Sequence, residues 1–151
     1  ARRRIGSLIE APAFYKRESA LENLRRFALL TPTPEEELHR LLELVGLADV
    51  GNKKAGTFSL GMKQRLGIAN AILGNPEILI LDEPAAGLAP KGRTRILDQI
   101  KEYHRQTGNT VLLVSHSMED VAEYVDRIIV MNKGSVMFDC SGGYLQSNRI
   151  E

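Results

Sequence analysis

Two adjacent carboxylates, Asp82 and Glu83, follow directly on four apolar residues, 78–81. Four apolar residues in a row predict a strand that is buried on both faces, as in a parallel sheet covered by helices. Carboxylates are almost never fully buried without a partner, so we expect this pair at the carboxyl end of the strand, where open α/β sheets place their ligands. An Asp there can hold Mg²⁺ on a nucleotide, and a Glu there can polarise a water molecule. An ordinary polar turn before Pro84 is the alternative.

A second candidate site lies upstream, where Ser59 and Gly61 open a predicted helix over residues 62–73. A helix N-terminus offers unpaired N–H groups and the positive end of the helix dipole, which suit a phosphate. The Ser59 hydroxyl adds a donor, and Gly61 lets the backbone approach closely. A role of Ser59 as a simple N-cap is the competing interpretation.

A third candidate, His116, follows the apolar stretch 110–114, which predicts a second buried strand. We expect this strand to pair in parallel with the Asp82 strand, and an N-terminal strand to lie on the other side of the Asp82 strand. A histidine at the carboxyl end of the neighbouring strand can reach the same ligand as the carboxylates. A loop histidine satisfied by local contacts is the alternative.

The remaining elements must position these residues. Capping patterns predict helices that begin after Ser19 and Thr33, and Pro90 predicts the first turn of a long helix. Residues 3–9 are expected to form an edge strand, and residues 127–138 a hairpin. The pattern predicts an α/β fold with a mostly parallel sheet and a helical subdomain. The predicted divisions are 1–12 (edge strand and joint), 13–75 (helical subdomain), 76–139 (α/β core) and 140–151 (tail).

The composition excludes several other classes of function. The net charge is +1, so no overall field would attract nucleic acid. The single cysteine, Cys140, permits no intrachain disulfide, and the three histidines lie too far apart in the sequence for zinc-ligand spacing. No stretch approaches the roughly 20 apolar residues of a membrane span. We therefore expect any membrane role to come through a partner.

Two of these motifs resemble those of a known family. FSLGMKQR, at residues 58–65, resembles the signature motif of ATP-binding-cassette (ABC) ATPases, and ILILDEP, at residues 78–84, resembles their Walker B motif. The resemblance implies an incomplete P-loop NTPase (RecA-like) core with a helical subdomain. It implies that Asp82 binds Mg²⁺ and that Glu83 is the general base.

The resemblance also implies roles for the other candidates. Ser59 and Gly61 would contact the γ-phosphate of an ATP held by the opposite subunit, and His116 would be the switch histidine that senses this phosphate. Glu10 stands where the family usually has Gln, at a joint that touches Mg²⁺ and the membrane partner, and the peptide-antibiotic export branch is similar to IGSLIEAPAFY here. An exposed Glu before a Pro turn is the alternative for Glu10.

The sequence departs from the family pattern at several positions. The common signature is LSGGQ, so Phe58, Leu60 and Met62 differ from it. Ala89 stands where the D-loop usually carries Asp, which puts the coupling across an ATP-bridged dimer in doubt. Nothing in the sequence reads G-x-x-x-x-G-K-[ST], the phosphate cradle of P-loop ATPases. Two segments come near this pattern, residues 51–57 and 87–94, and the second has Arg93 where Lys belongs.

The resemblance extends over about residues 5–139 and corresponds to the second half of an ABC nucleotide-binding domain. Residues 5–74 resemble the peptide-antibiotic export branch and residues 77–139 the energy-coupling-factor branch, which leads us to expect a truncated or engineered mosaic. The implied protein is a cytoplasmic subunit, peripheral to the inner membrane, with transmembrane permease subunits and a second ATP-binding subunit as partners, or a homodimer. We expect these residues alone to bind ATP weakly and to be inactive. The alternative is a non-catalytic fragment or designed scaffold that does not bind nucleotide.

Overall fold

The computed structural model describes residues 4–9, 12–31 and 33–142. Contacts divide the chain into two compact units, one up to Val114 and one from Ser115. Each unit is described by itself below.

The first unit contains a three-stranded parallel sheet in the order β1-β2-β3. Its strands are β1 (Ile5–Leu8), β2 (Ile78–Asp82) and β3 (Thr110–Val114). The register aligns Leu8 with Leu81, and Asp82 with Val114. The predicted parallel pairing, with the N-terminal strand on the far side of the Asp82 strand, is therefore confirmed, as is the α/β class.

The described residues of the first unit form four helices. They are α1 (Ala20–Ala28), α2 (Glu35–Leu44), α3 (Leu60–Ile72) and α4 (Pro90–Thr107), with short 3₁₀ turns at Ala48–Val50 and Ala55–Thr57. Helices α1 to α3 pack against one another through an apolar core that includes Leu24, Leu38, Leu42 and Leu66. Pro90 is the first residue of α4, and the left-handed Gly108 ends that helix, both as predicted.

The two predicted capping boxes have different outcomes. At α1, Ser19 Oγ accepts the Glu22 N–H at 3.1 Å, and the Glu22 carboxylate accepts the Ser19 N–H at 2.8 Å, so the box is confirmed. At α2 the prediction is wrong, because Pro34 occupies the N-cap and no side chain caps the helix. The Thr33 hydroxyl instead donates to the Thr31 carbonyl at 2.7 Å. The two outcomes differ because the Thr33 hydroxyl bonds to a nearby backbone carbonyl instead of capping the helix.

Helix α3 covers one face of the sheet at close range. A Cβ built on Gly6 of β1 would lie 1.9 Å from the Ala71 carbonyl oxygen of α3, and a Cβ on Gly67 would lie 2.6 Å from Pro12. Only glycine fits at such distances, so Gly6 lets strand and helix touch through their backbones, and Gly67 leaves room for the Pro12 side chain. Leu79 and Leu81 of β2 are fully buried on this face.

The opposite face of the sheet is open, which corrects one expectation. Ile78 of β2 is 39% exposed, and Leu112 and Val114 of β3 are 52% and 45% exposed. The prediction of a strand buried on both faces is therefore wrong for this chain. Among the residues that the structure describes, β3 also pairs with no further strand and leaves its outer edge open.

The second unit contains the short helix α5 (Met118–Val121) and an antiparallel hairpin of β4 (Arg127–Asn132) and β5 (Ser135–Ser141). The turn between the strands uses Lys133 and Gly134, which both have positive φ angles. The hairpin was predicted from this Asn-Lys-Gly turn and is confirmed. Its register shifts between Val130 and Met131.

Candidate functional site

The carboxylate pair lies at the carboxyl end of the central strand. Asp82 is the last residue of β2, and side-chain alternation places it on the same open face as Ile78 and Ile80. Its side chain is half-buried. The Glu83 N–H donates to the Val114 carbonyl at 2.9 Å, so the β2–β3 ladder extends one residue past Asp82.

Glu83 has a left-handed backbone, with φ of 47°. Its carbonyl accepts the Ala86 N–H at 3.1 Å, which begins the turn that leads away from the sheet. A non-glycine residue in this region carries strain of roughly 1–2 kcal/mol, because its Cβ crowds the following carbonyl. Strained residues of this kind cluster at active sites, where they aim a side chain. The unusual backbone thus marks Glu83 itself, and not only the acidic pair, as a candidate functional residue.

The loop after Glu83 packs against the start of α3. A Cβ on Gly87 would lie 3.3 Å from the Leu60 side chain, and a Cβ on Gly61 would lie 3.5 Å from the Leu88 side chain. Gly87 has φ of 72°, a conformation that side chains rarely adopt. The segment that resembles a D-loop is therefore in contact with the segment that resembles a signature motif, within the same unit.

Ser59 caps α3, as the competing interpretation required. Its Oγ accepts the Met62 N–H at 3.3 Å, and its side chain is exposed. A serine hydroxyl that accepts one hydrogen bond still has its own O–H to donate, so capping and phosphate contact are compatible. Gly61 has room for a methyl group, since its nearest neighbour would be at an ordinary contact distance of 3.5 Å. Packing within this chain does not require glycine at position 61.

Arg65 is the site residue that sequence reasoning treated only as a match to the signature. Its Nη1 donates to the carbonyls of Val45 at 3.1 Å and Gly46 at 2.7 Å, at the end of α2. Its Nε donates to the Gly61 carbonyl at 3.2 Å. Burial lowers the pKa of Arg65, and the charge of Arg95 lowers that pKa further. The Arg65 guanidinium thus connects the start of α3 to the C-terminus of α2. The only sequence signal for this role was a basic residue four positions after Gly61.

The geometry of the first unit does not test the predicted roles of His116 and Glu10. His116 belongs to the second unit, two residues beyond the end of β3, and its side chain is exposed. Its predicted approach to the carboxylates stays a prediction. Glu10 falls outside the described residues.

The two segments that approach a P-loop pattern use their polar groups internally. In residues 87–94, Gly92 lies inside α4, Arg93 Nη1 donates to the Leu88 carbonyl at 3.5 Å, and the Thr94 hydroxyl donates to the Pro90 carbonyl at 3.2 Å. In residues 51–57, the Thr57 hydroxyl donates to the Lys54 carbonyl at 2.8 Å. The threonine hydroxyl of each segment thus donates within the chain.

The described residues contain neither a preformed metal cage nor a membrane helix. No group of three or more His, Cys, Asp and Glu side chains in the described ranges could hold a metal ion. In those same ranges, no helix combines the length and the apolar character that crossing a bilayer needs.

A family model described as "ABC transporter" matches residues 1–86, which is more than half of the chain. The chain belongs to the ABC transporter ATP-binding family. The energy-coupling factor transporter ATP-binding protein EcfA2 of Clostridium perfringens is 39% identical over 145 residues, which cover 91% of this chain and 51% of that protein. The bacitracin transport ATP-binding protein BcrA of Bacillus licheniformis is 40% identical over 136 residues, which cover 89% of this chain and 44% of that protein.

The fold agrees with solved members of the ABC family. The structure of cbiO1 from Clostridium perfringens, described as part of the ABC transporter complex cbiONQ, superimposes with a TM-score of 0.86 at 27% identity, over 97% of this chain and 60% of that one. The chain thus spans about half the length of the curated relatives it matches. Both relatives align across residue 75, so the division of the chain into two branches at that point stays a prediction.

Proposed function

We propose that this chain is the part of an ATP-hydrolysing ABC transporter subunit that senses and hydrolyses the nucleotide. The observation that carries the proposal is the strained Glu83, which directly follows Asp82 at the carboxyl end of the central parallel strand. Open α/β sheets bind their ligands at this edge. A strained carboxylate at a ligand-binding edge favours a catalytic role over an ordinary polar turn.

Asp82 and Glu83 would have different roles, one toward the metal ion and one toward the attacking water. Mg²⁺ usually takes one or two protein carboxylates together with substrate phosphates, so a single half-exposed Asp82 fits that ion better than a closed cage would. When bound, Mg²⁺ would neutralise charge on the phosphates. Glu83 would accept a hydrogen bond from the attacking water and take its proton.

The other candidates would read the phosphate from nearby elements. Ser59 would use the hydroxyl proton that its cap leaves available, and Gly61 would present its backbone at the start of α3 to an ATP bound to a second subunit. His116 would sense the γ-phosphate from the segment after β3. Glu10 would lie at the joint between the helical subdomain, residues 13–75, and the core, residues 76–139.

The partners follow from the same proposal. The subunit would work with a second ATP-binding chain and with transmembrane permease subunits, at the cytoplasmic side of the inner membrane. The membership of cbiO1 in an ABC transporter complex supports this arrangement. A P-loop would supply most of the nucleotide affinity, so residues 1–151 alone should bind ATP no more tightly than about millimolar.

ATP turnover tests the proposal. We expect turnover by this chain together with a chain that carries a P-loop, and a loss of at least about a hundredfold in Glu83→Gln, since the general base and its water orientation both disappear. The matched control is Asp98→Asn, which neutralises an exposed carboxylate on α4 and should leave turnover unchanged. Turnover that survives in Glu83→Gln would exclude Glu83 as the base. Absence of turnover, both by this chain alone and together with the P-loop-carrying chain, would favour the alternative of a non-catalytic fragment or scaffold.

A further inference from the structure

A short segment, residues 15–19, joins α1 to the loop that precedes the signature helix, and we call it the strap. On its inner side the strap is held by Asn23, which is fully buried in α1. Asn23 Oδ1 accepts the Tyr15 N–H at 2.7 Å, while Nδ2 donates to the carbonyls of Tyr15 at 3.1 Å and Ser19 at 2.8 Å. A buried amide with three short hydrogen bonds holds its partners firmly, because opening it would leave polar groups unsatisfied.

On its outer side the strap pairs with residues 54–56. The Gly56 N–H donates to the Lys16 carbonyl at 2.9 Å, and the Ala55 N–H donates to the Glu18 carbonyl at 2.8 Å. A Cβ on Gly56 would lie 2.7 Å from the same Lys16 oxygen. Any larger residue at position 56 must therefore push the strap away.

Arg26 reinforces the strap at the surface. Its guanidinium lies 4.8 Å from the centroid of the Tyr15 ring and pairs with the Glu18 carboxylate. Helix α1 thus contacts both ends of the strap, from the buried side through Asn23 and from the exposed side through Arg26.

The residues that pair with the strap, 54–56, lead directly to Ser59. Only two residues separate Gly56 from Ser59, and the Phe58 N–H donates to the Ala55 carbonyl at 3.2 Å. Phe58 is buried, which anchors this short connection. Because the connection is so short, a displacement of the strap must also shift the N-cap of α3. There the Ser59 hydroxyl accepts the Met62 N–H.

We propose that the strap positions the Ser59 hydroxyl for its phosphate contact, with Asn23 and Gly56 as the positioning residues. This inference rests on the proposed function of Ser59 and goes beyond it. Neither residue belongs to a motif of the site. Asn23 and Gly56 hold the strap from opposite sides through hydrogen bonds to its backbone, and the strap in turn fixes the position of Ser59.

Amide hydrogen exchange in the intact chain tests the positioning directly. In Gly56→Ala we expect the amides of residue 56 and of Met62 to exchange at least about tenfold faster, with Tyr103 in α4 unchanged. Asn23→Ala opens the strap from its other side and should give the same pattern. The matched control is Asn52→Ala, an exposed position in the same loop, which should change none of these rates. An unchanged Met62 amide beside a faster residue 56 would overturn the inference, as would equal acceleration at Tyr103, which indicates global destabilisation.

Steady-state hydrolysis of MgATP, with a P-loop-carrying chain present, separates this inference from the proposed function. We expect Gly56→Ala to lower kcat about tenfold with KM changed less than about twofold, because a misplaced group costs rate more than binding. If Ser59→Ala lowers turnover and Gly56→Ala does not, the strap does not position Ser59 and the proposed function stands. If Ser59→Ala leaves turnover unchanged, the role of Ser59 is refuted and the exchange rates at Met62 still decide the positioning.

Discussion

Replacement of Glu83 by glycine should give a more stable protein than replacement by alanine, while both variants lose the carboxylate of the proposed chemistry. Glu83 has φ of 47°, held by the hydrogen bond from its N–H to the Val114 carbonyl and by the Ala86 N–H that donates to its own carbonyl. Glycine can keep both main-chain bonds without a Cβ in the crowded position. The clean comparison is between Glu83→Gly and Glu83→Ala, because both remove the carboxylate and all of its contacts, and they differ only in the Cβ.

The expected magnitude follows from two opposing terms. Relief of the left-handed strain contributes roughly 1–2 kcal/mol in favour of glycine. The greater freedom of glycine in the unfolded chain costs roughly 0.4–1 kcal/mol. The difference between the centres of these two ranges gives the net expectation: Glu83→Gly exceeds Glu83→Ala in free energy of unfolding by about 0.8 kcal/mol.

Urea denaturation followed by circular dichroism measures this difference. With an m-value of about 2 kcal/mol per molar urea, the midpoint of Glu83→Gly should lie about 0.3–0.5 M above that of Glu83→Ala. Equal m-values are required for the comparison. A glycine variant no more stable than the alanine variant would refute the argument that strain is stored at this position.

Three further outcomes are expected. Gly61→Ala should leave the free energy of unfolding unchanged or raise it by up to about 1 kcal/mol, since the methyl group meets only Leu88 at 3.5 Å, yet lower ATP turnover; a loss of stability would contradict the contact distances. Arg65→Lys should lower the free energy of unfolding by about 1–3 kcal/mol in urea denaturation, because an ammonium cannot reach all three carbonyls. An unchanged denaturation midpoint would show that these hydrogen bonds do not stabilise the fold. The carboxyl of Glu102 should titrate in NMR with a pKa of about 2, lowered mainly by the Arg105 guanidinium, and Arg105→Gln should raise that pKa. The sign follows from the depressed pKa: this pair stabilises the fold above the ordinary pKa of a glutamate, and the contribution is lost as the pH falls through about 2.

Local patterns sufficed for much of the fold. The capping box at Ser19 and Glu22, the proline at the start of α4 and the glycine at its end each act within a few residues, so the sequence predicted those boundaries correctly. The same kind of argument was wrong at Thr33, where a backbone carbonyl two residues away competed for the hydroxyl. The exposure of Ile78 also escaped prediction, because an apolar run does not reveal which elements are available to cover it.

In the candidate site, too, some features could be predicted from local sequence and others depended on packing. Ser59 and Asp82 could be found from residue type and spacing, since a helix start and a strand end are each encoded locally. Glu83 could be found in the same way, but its left-handed backbone could not, because a hydrogen bond to Val114 on another strand holds it there. Arg65, whose carbonyl partners at Val45 and Gly46 lie about twenty residues away, gave little sign of its role for the same reason.

The sequence by itself determined which chemical groups are present and the order of the elements that carry them. Tertiary structure alone decided that the Asn23 amide is buried against the backbone of the strap, and that Gly56 must be small because it meets Lys16, which is distant in the chain. The physical reason is that side-chain periodicity reports the burial of a face, whereas the hydrogen-bond partner of a buried amide or guanidinium is fixed only when the backbone segments have packed.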